Sequence, residues 1–419
     1  MSNHKQRLYN LLRWSERYTK TDMVYVGRSG FWLMLSQIAG TISSFILSIL
    51  FARYVSKDAF GIYRYILSVA GFVSSFSLNG MNTAIVRAVS QGRDGTFTRS
   101  IPLQFKWTIG QFLINTTIAS YYLFKGNTPY GIAFGIIAIL GPISTVTNSF
   151  ASYLQGKQDF KTSSLYSVYS TIIYFVVVAV AIIYSPNFVY LIAAYFLSTS
   201  LTNAYFCVRT LKRFPPQNNE LRTEDVQYAK KLSFMTVIGA AASQIDSIIV
   251  YQLLGPAQLA IYTFSTIIPD RVRTIFSVIT SAVLPKLSAK HTISSEGMLR
   301  KETQLAILAV LMIIAYIVAA PFLYAFFFPQ YTEAVWYSQV YALSLLALPS
   351  FISLPSLYAQ QKERALYIIN IGIPLLKILI TYSAIVAGGI LGAVIAKLAY
   401  YLLSMVLSNH YALKQEGVS

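Results

Sequence analysis

The feature that most constrains this chain is a succession of apolar segments, each long enough to cross a membrane as a helix. A helix needs roughly 20 apolar residues, rising 1.5 Å each, to cross about 30 Å of hydrocarbon. Inside a bilayer, only helices and closed barrels satisfy their own backbone hydrogen bonds. We therefore predict an all-α polytopic membrane protein with twelve spans, near residues 30–52, 60–82, 103–124, 130–152, 165–184, 188–208, 232–252, 258–284, 304–328, 334–357, 366–386 and 389–409.

Composition excludes the other broad classes of protein. The 419 residues are 55% hydrophobic and only 11% charged, whereas soluble domains carry about 25% charged residues. Aromatic residues make up 15% of the chain, which argues against disorder. The excess of 33 basic over 15 acidic residues would indicate nucleic-acid binding in a soluble protein. In a membrane protein it is explained by the Lys and Arg of cytoplasmic loops, so we expect no nucleic-acid partner.

The loop charges predict the orientation. With the N-terminus in the cytoplasm, the outer side receives only Arg53, Lys57, Arg64 and Lys125, and the other loop Lys and Arg residues are cytoplasmic. Both termini are therefore predicted to be cytoplasmic. We expect no cleavable signal sequence. Residues 1–28 form either a basic helix on the inner leaflet or a cytosolic tail.

The two halves of the chain are related in sequence. Residues 61–63 (Gly-Ile-Tyr) resemble residues 260–262 (Ala-Ile-Tyr), and the same offset pairs residues 85–87 with 284–286. An even number of spans per half gives the two copies one orientation, so their symmetry axis runs along the membrane normal and a cleft lies between them. The predicted parts are a basic N-terminal segment, an N-terminal six-helix bundle, a cytoplasmic linker, a C-terminal six-helix bundle and a cytoplasmic tail, at residues 1–28, 29–210, 211–231, 232–412 and 413–419.

Ten short segments carry a resemblance to a known family: 51–54, 60–63, 79–81, 84–87, 153–157, 243–246, 254–255, 260–262, 284–288 and 354–355. In order and spacing they resemble the polysaccharide flippases of the MOP exporter superfamily, which transport O-antigen and capsule repeat units. The resemblance implies a V-shaped pair of bundles around a cationic lumen. It also implies that the protein is a transporter and not an enzyme. Such a transporter carries undecaprenyl-diphosphate-linked oligosaccharide across the bacterial inner membrane by alternating access.

The resemblance also implies partners and an energy source. The expected partners are the lipid-linked oligosaccharide, anionic lipids, a polysaccharide polymerase and a chain-length regulator. The expected product is O-antigen, capsule or exopolysaccharide. We expect no cofactor, and coupling to an H⁺ or Na⁺ gradient is the energy source that analogy suggests.

Charges inside the spans indicate the candidate site. A charged side chain at the bilayer centre costs about 2.5–3.5 kcal/mol on insertion scales, so each one needs a function or a partner. Arg271 lies about 18 Å along span eight, near the midplane. Arg273 lies on the other side of that helix and is expected either to pair elsewhere or to reach toward the inner surface. Lys377 and Lys397 lie in spans eleven and twelve. We predict that Arg271, Lys377 and Lys397 bind the diphosphate, because arginine and lysine are the usual phosphate-binding residues.

The resemblance adds further candidates to this site. Related lipid II flippases carry arginines in spans one and two and an Asp-Arg step in span eight that engage the diphosphate. Arg53, Arg64 and the pair Asp270-Arg271 occupy similar places here. Arg64 is alternatively an interfacial anchor, and Lys397 is alternatively a lysine that extends to the membrane surface.

Several roles stay open at this stage. Asp246 and Asp270 are either counter-ions or coupling sites, and four amides, Asn79, Asn82, Gln111 and Asn115, are either sugar contacts or helix–helix contacts. We expect no catalytic group and no metal site. A MATE-like exporter of small molecules is the nearest alternative function, but cationic substrates would favour carboxylates in the cleft. A membrane-embedded polysaccharide polymerase or ligase is disfavoured because every predicted outer loop is short.

Overall fold

The computed structural model describes residues 23–288, 295–360 and 362–413, and within these ranges the chain is helical and contains no strand. The predicted all-α fold is therefore confirmed. Most of the predicted N-terminal segment and of the predicted tail lies outside the described residues. The N-terminal half contains α1 (Met23–Tyr54), α2 (Lys57–Ser74), α3 (Gly80–Ser90), α4 (Gly95–Phe124), α5 (Thr128–Thr147), α6 (Phe150–Gly156), α7 (Phe160–Tyr184) and α8 (Phe188–Arg213).

The C-terminal half combines long helices with several short ones. It contains α9 (Thr223–Leu254), α10 (Pro256–Ser288), α11 (Ser295–Phe327), α12 (Ala334–Ala342), α13 (Ser350–Ala359), α14 (Glu363–Tyr367) and α15 (Ile373–Leu413). Short 3₁₀ turns lie at Pro329–Tyr331 and Leu343–Ala347, and a π-helical turn at Ile368–Gly372 joins α14 to α15.

Seven helices in the described part of the chain are long and apolar enough to cross a membrane, or eight if one bent pair counts as a single span. One of them, the stretch Glu363–Leu413, contains both predicted span eleven and predicted span twelve. The two spans are separated at Gly388 and Gly389, whose backbone angles are not helical. Predicted span two corresponds to α2 and α3, span three to α4 and span eight to α10. In the described part of the chain, none of these helices is both long and apolar enough to count as a span. Of these helices, α2, α4 and α10 line the cavities between the two halves, to which they contribute charged or amide side chains such as Arg64, Gln111 and Arg271.

The same break recurs in both halves. Predicted span four is divided at Asn148 and Ser149, between α5 and α6, and predicted span ten is divided at Pro349, with a bend of 44° before α13. In both halves a Ser-Phe pair opens the helix after the break, at residues 149–150 and 350–351. This correspondence supports the duplication that the sequence predicted.

Predicted span two is not continuous, because α2 ends at Ser74 and α3 begins at Gly80. Side chains compete with the helical backbone here: Ser74 Oγ donates to the carbonyl of Gly71, and Ser75 Oγ to that of Phe72. The Asn79 amide donates to the carbonyl of Ser74, 3.2 Å away. Such local hydrogen bonds give the chain an alternative to the helix and end it.

The halves contact each other along one side of the molecule. Helices α2 and α3 run beside α9, where the ring of Tyr65 stacks on Tyr251 at 3.9 Å between centroids and the backbone amide of Gly80 donates to Ser233. On the other side of the molecule, the described residues of α1 and α10 contact each other only sparingly. A cavity lies between these two helices instead.

The halves also meet where α1 leads into α2, a region that we call the closed end, formed by Arg53, Lys57, Gly61, Pro256, Phe326 and Glu333. The Arg53 guanidinium donates to the carbonyl of Phe326 at 2.7 Å, and Lys57 pairs with Glu333. A Cβ at Gly61 would lie 1.9 Å from the carbonyl oxygen of Pro256, so only glycine permits this approach of α2 to α10. The closed end corresponds to the predicted outer side.

Candidate functional site

A cavity of about 410 Å³, which we call the charged chamber, lies between the two halves. Its walls come from α1, α2, α7, α8 and α10. Two arginines line it, Arg64 from α2 and Arg271 from α10, so one cation comes from each half of the duplication. The other polar wall residues are Ser44, Ser48, Tyr63, Tyr174, Tyr195, Thr263, Thr266, Asp270 and Thr274.

In the described part of the chain the two arginines form no ion pair with a carboxylate. Among the residues that the structure describes, no ion pair or hydrogen bond of Arg64 or Arg271 with another residue is found, and Arg64 Nε is buried without an acceptor. A buried donor that lacks an acceptor costs about 1–3 kcal/mol, and more when the group is charged. The chamber therefore holds positive charge that a bound anion would neutralise.

Among the described residues, Asp270 is the only carboxylate in the wall of the charged chamber, and it is already paired. Lys397 Nζ lies 2.8 Å from Asp270 Oδ2, and the Tyr341 hydroxyl donates to Asp270 Oδ1 at 2.6 Å. Lys397 does not line the chamber; its ammonium lies 4.9 Å from the ring centroid of Tyr341. The structure thus makes Lys397 the counter-ion of Asp270, and the predicted contact of Lys397 with a headgroup is revised.

Lys377 also differs from its predicted place. Its ammonium lies 2.7 Å from Asp246 Oδ2 and donates to the carbonyl of Ala242 at 2.9 Å, and both charged side chains are 6% exposed. The pair lies between α9 and α15 and lines neither of the cavities described here. The prediction of a lumenal Lys377 is therefore corrected, because Asp246 supplies the counter-charge inside the C-terminal bundle.

Arg53 and Arg273 point to other partners. Arg53 is exposed at the closed end, where it binds the carbonyl of Phe326, and its predicted headgroup contact is revised to a contact between the halves. Arg273 donates to the carbonyl of Ser344 at 2.8 Å, and its guanidinium lies 3.6 Å from the ring centroid of Tyr401. It is therefore turned away from Arg271, as its position on the helix predicted.

A second cavity of about 360 Å³, which we call the amide chamber, adjoins the charged chamber. Both share the side chains of Arg64, Leu67 and Tyr195 in their walls. The other polar lining residues of the amide chamber are Ser68, Ser74, Gln111, Ser144, Thr145 and Gln244. Arg64 is thus the boundary between a charged and an uncharged space.

Some of these residues were predicted and others were not. Gln111 lines the amide chamber. Asn115 donates to the carbonyl of Gln111 within α4, and Asn79 donates to the carbonyl of Ser74 at the break after α2. Asn82 lines neither chamber, and its Oδ1 is buried without a donor. Tyr174, Tyr195 and Gln244 were missed as lining residues, because only the packing of α7 against α1, and of α8 and α9 against α2, brings them to the cavities. For metals, the described residues hold no cluster of three His, Cys, Asp or Glu side chains.

The chain matches the family model of the polysaccharide biosynthesis proteins over residues 26–291, more than half of its length. No curated relative matches it by sequence.

Solved membrane transporters share the fold. The lipid II flippase MurJ in an inward closed conformation is 13% identical with a TM-score of 0.68, over 91% of this chain and 87% of that one. An inward-facing multidrug resistance MATE family transporter of the MOP superfamily is 14% identical with a TM-score of 0.65, over 90% and 93%. A MOP superfamily transporter from Pyrococcus furiosus Vc1, described by the reverse polarity of its binding pocket, is 14% identical with a TM-score of 0.63, over 93% and 94%.

The family match and the shared fold lead to one assignment: the chain belongs to the polysaccharide biosynthesis protein family and has the multi-pass membrane fold of the MOP superfamily transporters.

Proposed function

We propose that this protein is a flippase that moves undecaprenyl-diphosphate-linked oligosaccharide repeat units across the bacterial inner membrane by alternating access, for the synthesis of a surface polysaccharide such as O-antigen or capsule. One observation carries the proposal: Arg64 and Arg271, one from each half, line the same cavity, and neither forms an ion pair with a carboxylate of the described residues. The family match and the fold shared with a lipid II flippase support it.

The chemistry of the two arginines suits a diphosphate. A diphosphate carries about two negative charges, and each guanidinium can hold phosphate oxygens with two parallel hydrogen bonds. Within a cavity of low dielectric constant these contacts are stronger than in water. Because one arginine belongs to each half, a bound diphosphate would draw the halves together, and its release would let them separate.

The side of the molecule between α1 and α10 is the route we propose for the lipid tail. The charged chamber lies between these helices, which contact each other only sparingly, and α1 exposes Ile38, Ile42 and Ile46 on its surface. The polyprenyl chain would stay in the membrane beside α1 while the headgroup occupies the chamber. The opposite side, where α2 and α3 pack along α9, would act as the hinge side.

The closed end supplies the barrier that alternating access requires. The contacts of Arg53 with Phe326 and of Lys57 with Glu333 join the halves there. With this end on the periplasmic side, the structure corresponds to a state that is closed to the periplasm. Translocation then consists of breaking these contacts and opening the chamber outward.

The two deep carboxylates act as counter-ions in this proposal. Asp246 is paired with Lys377 and Asp270 with Lys397, so the charge of each carboxylate is neutralised by a lysine side chain of the same protein. The proposal therefore assigns anion binding to the arginines and the integrity of the C-terminal bundle to the lysines.

The proposal is tested in cells that depend on this protein for their surface polysaccharide. Arg64→Glu and Arg271→Glu should each abolish the polysaccharide and leave lipid-linked repeat units on the cytoplasmic leaflet, while protein levels stay normal. Arg300→Glu, which reverses an exposed arginine at the start of α11, is the matched control and should leave the polysaccharide unchanged. Normal polysaccharide in both chamber variants would contradict the proposal, and repeat units accumulating on the outer leaflet would indicate a polymerase instead.

A further inference from the structure

The amide chamber, which the diphosphate proposal leaves unused, has the chemistry of a separate subsite. Apart from Arg64 at the shared wall, its lining contains no charged side chain. Two carboxamides, Gln111 from α4 and Gln244 from α9, face the cavity together with hydroxyl groups from α2 and α5. Its volume of about 360 Å³ lies within the range of small-ligand sites, about 300–1,000 Å³.

One end of the Gln111 carboxamide is held by a hydrogen bond, and its NH₂ group is available to a ligand. It is 5% exposed, and its Oε1 accepts a hydrogen bond from Ser77 Oγ at 3.2 Å. Within the described part of the chain, no acceptor is found for Gln111 Nε2. Gln111 lines the amide chamber, so a ligand oxygen in this cavity could accept a hydrogen bond from Nε2.

Two glycines make room for the two carboxamides. A Cβ at Gly141 would lie 2.9 Å from Gln111 Nε2, and a Cβ at Gly71 would lie 3.0 Å from Gln244 Cδ. A Cβ at Gly141 would therefore force the end of the Gln111 side chain to shift, and a Cβ at Gly71 would require a smaller shift of Gln244. The absence of a side chain at these two glycines thus leaves space for the carboxamides in their present positions.

We propose that the amide chamber binds the first, uncharged sugar residues of the lipid-linked oligosaccharide, while Arg64 and Arg271 bind the diphosphate. Sugar hydroxyls both donate and accept hydrogen bonds, and a carboxamide does the same, so the two groups match without net charge. Arg64, shared by both chambers, lies where the glycosyl phosphate bond would pass. This inference rests on the proposed function, since it places the glycan of the same substrate.

The test compares two ligands on the purified full-length chain in lipid nanodiscs. One is undecaprenyl diphosphate without sugar, and the other is undecaprenyl diphosphate that carries a neutral disaccharide. The wild-type protein should bind the glycosylated lipid more tightly. Gln111→Leu and Gln244→Leu should each weaken binding of the glycosylated lipid about three- to tenfold, as expected for one lost neutral hydrogen bond, and leave binding of the bare lipid unchanged.

Matched variants separate a sugar contact from a folding defect. Gln104→Leu removes a buried amide two turns away on α4 that lines neither chamber, and it should not change the ratio of the two affinities. Gly141→Ala should reduce that ratio as Gln111→Leu does, because the methyl group displaces the amide. Thermal unfolding of each variant verifies that it is folded.

The outcomes distinguish this inference from the proposed function. If the wild-type protein binds both lipids equally, or if the Gln111 and Gln244 variants weaken binding of the bare lipid as much as that of the glycosylated lipid, the sugar subsite is wrong while the flippase proposal stands. If the wild-type protein binds neither lipid, both proposals are wrong.

Discussion

Lys397 pairs with Asp270 across 2.8 Å, and Asp270 is the residue immediately before Arg271. The carboxylate nearest in sequence to the chamber arginine is therefore held by an ammonium that does not line the chamber. This arrangement leaves the guanidinium of Arg271 without a carboxylate partner among the described residues. Lys397, which belongs to another helix, therefore keeps the Asp270 carboxylate from pairing with Arg271.

The first prediction follows from this pair. Lys397→Met frees the carboxylate of Asp270 to compete with the ligand for Arg271, so affinity for polyprenyl diphosphate should fall about tenfold, which corresponds to about 1.4 kcal/mol. The double variant Lys397→Met/Asp270→Asn should regain most of the lost affinity, because no carboxylate then competes. Binding titrations of the purified variants measure both effects. Unchanged affinity in Lys397→Met would show that the pair does not influence Arg271.

The second prediction concerns the buried pair of Lys377 and Asp246. Removing one partner of a buried ion pair leaves a charge without compensation and costs about 3–5 kcal/mol. Lys377→Met should therefore lower the thermal unfolding midpoint strongly. The double variant Lys377→Met/Asp246→Leu should restore much of it, because apolar residues of similar volume can replace a buried pair. A single variant as stable as the wild type would exclude this structural role.

The third prediction tests the closed end. Gly61→Ala places a methyl group 1.9 Å from the carbonyl oxygen of Pro256, so α2 and α10 cannot approach as they do here. In a Cys207→Ser background that carries Thr263→Cys in the charged chamber, Gly61→Ala should increase labelling by a membrane-impermeant thiol reagent from outside the cell. Surface polysaccharide should fall in the same cells.

Gly110 supplies the control for this experiment. A Cβ at Gly110 meets nothing within 4 Å, so Gly110→Ala should change neither labelling nor polysaccharide. If Gly61→Ala behaves like Gly110→Ala, the close contact of Gly61 with Pro256 is not required for closure.

The sequence predicted most of the fold because membrane helices follow from hydrophobicity and length alone. The all-α class needed only apolar segments, and the duplication was predicted from two sequence matches at the same offset. The ends of the helices were less predictable. Helix α9 begins at Thr223, within the predicted linker 211–231, since backbone hydrogen bonds can continue beyond the apolar core. The break after Ser74 depends on local side-chain hydrogen bonds, which a hydrophobicity scale does not describe.

The candidate site was predicted only in part. A charge inside a span indicates function or pairing, but it does not say which. Arg271 lines the cavity, whereas Lys377 and Lys397 lie against carboxylates on α9 and α10. The partner of each lysine is more than a hundred residues away in the chain, so helix packing decides between the two outcomes. For the same reason the aromatic wall formed by Tyr174 and Tyr195 could not be predicted from the sequence.

The most direct test of the central claim is the affinity of the purified protein for undecaprenyl diphosphate, measured for Arg64→Gln, Arg271→Gln and the exposed control Arg300→Gln. Losing a charged hydrogen-bond donor costs about 1.5–3 kcal/mol, so each chamber variant should bind roughly ten- to a hundredfold more weakly. The control should bind like the wild type. Equal affinity in all four proteins would contradict the claim that these two arginines bind the diphosphate.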